Sequence, residues 1–276
     1  MQPVKVIAVA SGKGGVGKTS VSINLACQLA HQGQKVLLLD ADLGLANADI
    51  LLGVRPKWTL ADVMAMRCTL EEAIVKSPSG VRLIPAASGV KSMVDLSNNE
   101  LSGLIAALSE LEDNYDVLLV DSAAGISESV LTLSGACHHV LVVSTPEPTA
   151  IADAYALIKL LNRDTGVPHF QVVFNMCDTE AQARGAFQRL NDVAHRFLDT
   201  NLFYAGSIPR DTFLNRAIRQ QTPVVEQFPG SASAQAITRL AKRVDQWPIP
   251  EAPSGRLEFF VDRLAQRPAE SAGVEA

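Results

Sequence analysis

Short runs of Val, Ile, Leu and Ala recur along the chain at residues 4–10, 35–40, 81–85, 116–121, 139–144, 170–175 and 204–209. Most of these runs are apolar throughout rather than alternating, which predicts strands covered on both faces, the pattern of a parallel sheet. Stretches of helical period lie between them, at 19–32, 98–112, 127–136, 149–162, 180–198 and 232–246. Repeated β-α alternation predicts an α/β class, a doubly wound domain with a mostly parallel sheet. The pattern changes after Trp247. Pro248, Pro250 and Pro253, then Ser254 and Gly255, cannot continue a helix. The expected organisation is therefore a domain over 1–246, a proline-rich linker over 247–255, and an amphipathic helix with a polar tail over 256–276. Within 256–266, Leu257, Phe260, Val261 and Leu264 follow an i, i+3, i+4, i+7 spacing and define one apolar stripe, with Phe259 beside it.

The first strand runs directly into Gly12-Lys13-Gly14-Gly15-Val16-Gly17-Lys18-Thr19, followed by Ser20 and a helix. Strand, glycine-rich loop and helix is the context in which a Walker A string carries chemistry. Glycines leave room for successive backbone N–H groups to face phosphate oxygens, and the helix N-terminus adds its positive dipole end. Lys18 should reach the β- and γ-phosphates, and the Thr19 hydroxyl should ligate Mg²⁺. These residues make ATP and Mg²⁺ the expected ligands. The run over 116–120 ends in Asp121, a Walker B arrangement, so Asp121 is expected to hold Mg²⁺ through water. Gly125 would then let the following loop approach the γ-phosphate. The strand at 35–40 closes with Asp40-Ala41-Asp42, placing carboxylates at the end of a strand where open α/β sheets bind ligands.

Lys13 stands where an ordinary Walker A tolerates any residue. Lys-Gly-Gly-Val-Gly-Lys-Thr resembles the deviant Walker A loop of the MinD/ParA family of P-loop NTPases, a resemblance that extends from Val4 to about Gln266. It implies that Lys13 reaches across a dimer interface to the partner's nucleotide, in the manner of an arginine finger. Residues 39–47 resemble the family's switch I, which implies that Asp42 orients the attacking water and Asp40 supports the Mg²⁺ shell. An Asn at the end of the 170–175 strand hydrogen-bonds adenine in that family, and Asn175 fits; Pro209, Arg210 and Asp211 resemble the segment flanking the base. As bare residues, Asn175 could also cap a strand end and 209–211 form an ordinary turn. A GTPase would carry Lys where Met176 stands.

Residues 43–52, 84–89, 149–163 and 257–261 are similar to the flagellar-number regulator branch of the family, FlhG/FleN-like. The resemblance implies a slow ATPase that works as an ATP-dependent homodimer and as antiactivator of a flagellar master transcription regulator, with an FlhF-type GTPase as a further partner. The DQAxxLR motif that precedes the domain in some relatives is missing from this chain, so direct stimulation of that GTPase is not expected. By the same resemblance, the stripe at 256–266 is a candidate membrane contact, weak in one copy because it lacks a Lys/Arg-rich polar face; the alternative is that the stripe packs on the domain's own surface, from which ATP could release it.

Composition narrows the alternatives. The 276 residues are 47% apolar and 19% charged, a globular balance. No apolar run reaches the ~20 residues of a membrane span, and no signal peptide opens the chain, so the expected location is the cytoplasm, with peripheral attachment open. A net charge of −5 makes direct DNA binding an unexpected property. The rival is a ParA-type partitioner using Arg184, Arg189, Arg196, Arg210, Arg216 and Arg219; a metabolic ATP-dependent ligase is a more distant one. Cys27, Cys68, Cys137 and Cys177 form no ligand motif and read as small core residues in a reducing compartment. Tyr115, Tyr155 and Tyr204 lie far from the C-terminus, unlike the tyrosine-rich tail of bacterial kinases of this fold.

Overall fold

The apolar runs become strands with both faces covered. The computed structural model describes residues 3–42, 47–86, 97–111, 115–254 and 257–262. Strands β1 (Lys5–Ser11), β2 (Val36–Ala41), β3 (Val75–Lys76), β4 (Arg82–Ile84), β5 (Val117–Ala124), β6 (His139–Ser144), β7 (His169–Cys177) and β8 (Asn201–Pro209) make one eight-stranded sheet in the order β3-β4-β2-β5-β1-β6-β7-β8. All neighbours are parallel except β3 with β4. Along β1, Val6, Ala8 and Ala10 join one buried cluster while Ile7 and Val9 join the other. Both sides of the strand are thus removed from water, which is why the run shows no polar alternation.

Helices α1 (Lys18–His31) and α11 (Ala232–Asp245) cover one face, through Leu25, Leu29, Ile237 and Leu240. Helices α5 (Asn98–Ser109), α6 (Glu128–Gly135), α7 (Pro148–Thr165) and α8 (Glu180–Phe197) cover the other, through Leu104, Leu133, Leu157 and Leu190. After β1 the chain builds the sheet toward β2 and β4, returns through β5, and then continues past β1 to β6. The crevice at the carboxyl ends of β1 and β5 lies at this reversal, where doubly wound sheets bind their ligands.

The structure adds elements that the sequence pattern does not announce: β3 and the short helices α2 (Ala48–Leu51), α3 (Leu60–Met64), α4 (Leu70–Ala73), α9 (Thr212–Arg219) and α10 (Val224–Gln227). Most hold barely one turn, too short for an apolar period to register. Their starts carry local chemistry instead: Thr59 with Asp62 and Thr69 with Glu72 form capping boxes.

One expectation changes over 257–260. Phe260 adopts a positive φ of 54°, so no helix passes through it, and helical residues begin only at 261. Phe259, expected beside the stripe, is fully buried together with Phe260, while Leu257, expected on it, is 43% exposed. The segment packs into the cluster beneath α5 and α6. Arg256 and residues 263–266 of the expected helix, Leu264 included, lie outside the described residues. The expected linker also starts as packed chain: Trp247 rests against the α1–α11 cluster, and His139 Nε2 lies 2.7 Å from the Pro248 carbonyl oxygen.

Candidate functional site

The phosphate loop is shaped by what its glycines exclude. Gly12 sits so tightly against α7 that a Cβ would meet the Asp153 carbonyl oxygen at 2.1 Å. Gly14 and Gly15 face open space on the other side of the loop. Gly15 and Gly17 take φ of 80° and 86°, which an L side chain resists. Gly17 is also the N-cap of α1 and supplies no side-chain cap, so the first turn presents its N–H groups to the loop. Ser20 follows on that turn, half-buried, its carbonyl accepting from Asn24 Nδ2 at 2.8 Å. An anion fits this cradle.

Lys18 and Asp121 meet beneath the loop. Lys18 Nζ donates to Asp121 Oδ1 at 2.8 Å and lies 3.4 Å from Thr19 Oγ1, with both charged side chains almost fully buried. Ser22 donates to the same Oδ1 at 2.7 Å. Ser22 stands one helical turn after Lys18 and so faces the same way; that spacing is the signal by which the sequence could have shown it. Asp121 Oδ2 is buried with no hydrogen-bond partner among the described residues. An orphaned, buried carboxylate oxygen beside a threonine hydroxyl suits the hydration shell of Mg²⁺. Thr19 and, through water, Asp121 would hold that ion, which would supply positive charge against the phosphates.

Asp40 aligns with Asp121 in the register of β2 and β5. Its oxygens accept from the backbone N–H groups of Asp42 at 3.1 Å and Ala48 at 3.2 Å. It therefore pins both ends of the expected switch I segment, whose residues 43–46 lie outside the described residues. Burial, and then the nearby Asp121 charge, push the Asp40 carboxyl up to about 7, against the pull of those N–H groups and of Lys18. Asp42 is half-buried at the mouth of this segment. On the β5 side, Gly125 turns with φ 106° and donates its N–H to the Ser11 carbonyl at 2.8 Å.

Lys13 points away from its own phosphate cradle. Its Nζ is 3.3 Å from Thr149 Oγ1 and 3.8 Å from Glu147 Oε2, with side-chain exposures of 43% for Lys13 and 65% for Glu147. Such exposed pairs are worth well under about 1 kcal/mol, so the lysine is free to be drawn elsewhere.

The expected base pocket is brought together in part. Asn175 is buried against the loop, its Nδ2 donating to the Val16 carbonyl at 2.8 Å, and its Oδ1 has no partner among the described residues. Pro209 ends β8, beside Cys177 in register, and Arg210 donates its N–H to the Cys177 carbonyl and its Nε lies 3.5 Å from Asp178. The Asp211 carboxylate is otherwise engaged. It accepts from Phe213 N–H as the cap of α9 and from the N–H and hydroxyl of Ser233, joining α9 to α11. These bonds fix the position of the segment expected to flank the base.

A Walker A cradle, a buried Lys-Asp pair and a Walker B carboxylate at a sheet reversal define a P-loop ATPase. A family model described as ParA, NUBPL iron-transfer P-loop NTPase, matches residues 2–245. The chain is 53% identical to Antiactivator FleN of Pseudomonas aeruginosa, covering 99% of this chain and 98% of that protein. It is 33% identical to Flagellum site-determining protein YlxH of Helicobacter pylori, covering 94% and 89%. Among solved structures, the septum site-determining protein MinD of Pyrococcus horikoshii, complexed with Mg-ADP, superposes with a TM-score of 0.75 at 28% identity, covering 88% and 97%. The MinC:MinD cell division complex of Aquifex aeolicus matches with a TM-score of 0.72 at 32% identity, covering 90% and 98%. The chain belongs to the MinD/ParA family of P-loop ATPases. Among the described residues the iron-transfer description meets no metal-binding cluster: Cys27, Cys137 and Cys177 are buried core residues and Cys68, expected there too, is half-buried, while burial pushes the Cys27 thiol up to about 12 and that of Cys177 to about 11.

Proposed function

We propose that this chain is an ATP-controlled dimerising switch that limits flagellar number as an antiactivator of a flagellar master transcription regulator. The observation that carries the reading is the likeness, along nearly the whole of both chains, to Antiactivator FleN. ATP and Mg²⁺ are its ligands, with Thr19 and Asp121 serving the cation and Asp40 supporting its shell while holding the switch segment in place. Lys18 and the loop N–H groups bind the phosphates, Asp42 positions the attacking water, and Asn175 with the 209–211 segment meets adenine. ATP can favour a dimer only through contacts that differ between the two states. Lys13, lightly tethered at the rim, is the residue positioned to make them.

A DNA-partitioning role would gather arginines on one face. Instead Arg184 pairs with Glu180 and stacks on Tyr204, Arg210 pairs with Asp178, Arg196 stacks on Phe197 and Arg216 on Phe228. Four of the six arginines are thus engaged by groups beside them, Arg184 and Arg196 on α8, Arg210 after β8 and Arg216 on α9. Among the described residues no helix is long and apolar enough to cross a membrane. Peripheral attachment through 256–266 would require the buried Phe259 and Phe260 to leave their site, so wild type is expected to co-sediment with anionic liposomes with ATP and not with ADP. Equal sedimentation with both nucleotides would break the link to the switch. An FlhF-type GTPase remains a second proposed partner.

Pull-down from the native cell with ATP and with ADP tests the whole reading. Recovery of a flagellar transcription regulator in the ATP arm is the expected result, and recovery of a chromosome-partition protein or a biosynthetic enzyme overturns it. Two variants test the switch. Lys13→Ala is expected to keep ATP affinity within about threefold, because the contacts it loses are exposed, yet to stay monomeric with ATP in analytical ultracentrifugation. Asp42→Ala is expected to lower turnover by about a hundredfold, the scale of misplacing a reacting group, while ATP-induced dimers persist. Turnover at the wild-type rate would remove Asp42 from the reaction.

A further inference from the structure

The structure assigns Asn175 a positioning role in phosphate binding: its amide braces the phosphate loop from below, so one side chain couples the base pocket to the triphosphate cradle. This rests on the ATP-binding reading of the same site and goes beyond a contact with adenine.

Three observations carry it. Asn175 Nδ2 donates to the Val16 carbonyl at 2.8 Å, and only 2% of the residue is exposed. That carbonyl opens the peptide leading into Gly17, the residue that turns the loop with φ 86° into α1. Holding it inward fixes the tilt of the Val16–Gly17 peptide and, with it, the direction of the N–H groups that follow. Second, Gly17 is moulded to this side chain: a Cβ there would lie 2.3 Å from Asn175 Nδ2. The loop glycine is thus required from two sides, by its backbone angle and by the amide pressed against it. Third, the backbone is bent to present the amide. Met176 takes a positive φ of 56°, and the β7–β8 register shifts between Phe174 and Cys177. A non-glycine residue in that conformation is held there by its surroundings. Within the fold, then, strand β7 ends in a kink that turns Asn175 under the loop.

The amide has a polarity that separates its functions. Its donor faces the loop, and its acceptor, Oδ1, is buried with no partner among the described residues. An exocyclic amino group is a donor that this oxygen can accept, so the brace and the base contact use opposite ends of one side chain. Base occupancy would then stiffen the brace, and a well-held loop would orient the amide for the base.

The test separates the two ends with a ligand that lacks a base. Affinities of wild type, Asn175→Ala and Asn175→Asp for Mg-ATP and for Mg-ribose 5′-triphosphate are measured by calorimetry, with thermal midpoints of the ligand-free proteins as a control. If Asn175 only reads adenine, Asn175→Ala binds ribose triphosphate as wild type does. The brace predicts a loss of about three- to tenfold for the base-less ligand, the usual worth of one buried hydrogen bond. Asn175→Asp keeps the acceptor and the shape but loses the donor. It should bind both ligands more weakly while keeping the wild-type ratio of ATP to ribose triphosphate affinity, a ratio that Asn175→Ala abolishes. Unchanged ribose triphosphate binding in both variants overturns the brace. If wild type binds ATP but shows no affinity for ribose triphosphate, the phosphate loop does not dominate binding, and the underlying reading of the site fails instead.

Discussion

Lys18→Ala is expected to lower ATP affinity by about a hundredfold or more, since it removes a cation whose charge-assisted hydrogen bonds contribute about 1.5–3 kcal/mol each. The loss should appear in calorimetry as the absence of measurable binding at concentrations that saturate wild type. Folding complicates the experiment in an informative way. In this structure Lys18 neutralises Asp121, both are nearly sealed from water, and among the described residues Ser22 also donates to the bonded oxygen. Removing one partner of such a pair costs about 3–5 kcal/mol, because the other charge is left uncompensated in a poor dielectric. Lys18→Ala should therefore unfold at lower temperature as well. The double variant Lys18→Met with Asp121→Asn replaces the ion pair with neutral groups of similar shape. It is expected to recover most of the lost thermal stability and none of the ATP binding. ATP affinity near wild type in either protein would show that the loop N–H groups alone hold the phosphates and that the lysine is a structural counter-ion.

Much of this site is legible in the sequence because its logic is local. Glycine spacing, a lysine and a threonine between a strand and a helix require no tertiary information to specify a phosphate cradle. The same holds for the strands, whose unbroken apolar runs follow from burial on both faces, as at Ile7 and Val9 against Val6 and Ala8. What the sequence hides are contacts made across elements. The clasp of Gly12 on the Asp153 carbonyl, the Asn175 brace and the Asp211 tie to Ser233 join residues far apart in the chain. Asp211 is such a case: the sequence places it in the segment expected to flank the base, and the structure adds that it caps α9 and ties it to Ser233 at the start of α11. The C-terminal segment shows another. An i, i+3, i+4 pattern in a short window is also what a buried turn with paired aromatics produces, and only the positive φ at Phe260, invisible to pattern, separates them.

That turn gives the second large effect. Phe259→Ala is expected to destabilise the protein by about 3–5 kcal/mol, the range for truncating a buried phenylalanine to alanine. Phe259 is 0% exposed and Phe260 1%, and both belong to the cluster under α5 and α6. The backbone is fixed as well as the rings: Phe259 N–H donates to the Ala136 carbonyl at 3.2 Å, and Phe260 N–H to the Ser109 hydroxyl at 2.8 Å. These are the C-terminal ends of α6 and α5, so the aromatic pair closes a gap between them and satisfies an acceptor at each. A bulky residue at φ 54° is strained by about 1–3 kcal/mol, a cost that the burial of two rings exceeds. For a domain of this size the Phe259→Ala loss corresponds to a midpoint lowered by about 10 °C, at about 2–4 °C per kcal/mol. Leu257→Ala serves as the comparison. Leu257 is 43% exposed, so its truncation should shift stability by no more than about 0.5 kcal/mol. Differential scanning calorimetry of both variants reads the contrast. If Leu257→Ala costs as much as Phe259→Ala, the apolar stripe of a docked helix describes this segment and the buried turn does not. If Phe259→Ala melts with wild type, the segment is a passenger on the domain and its burial contributes nothing to the fold.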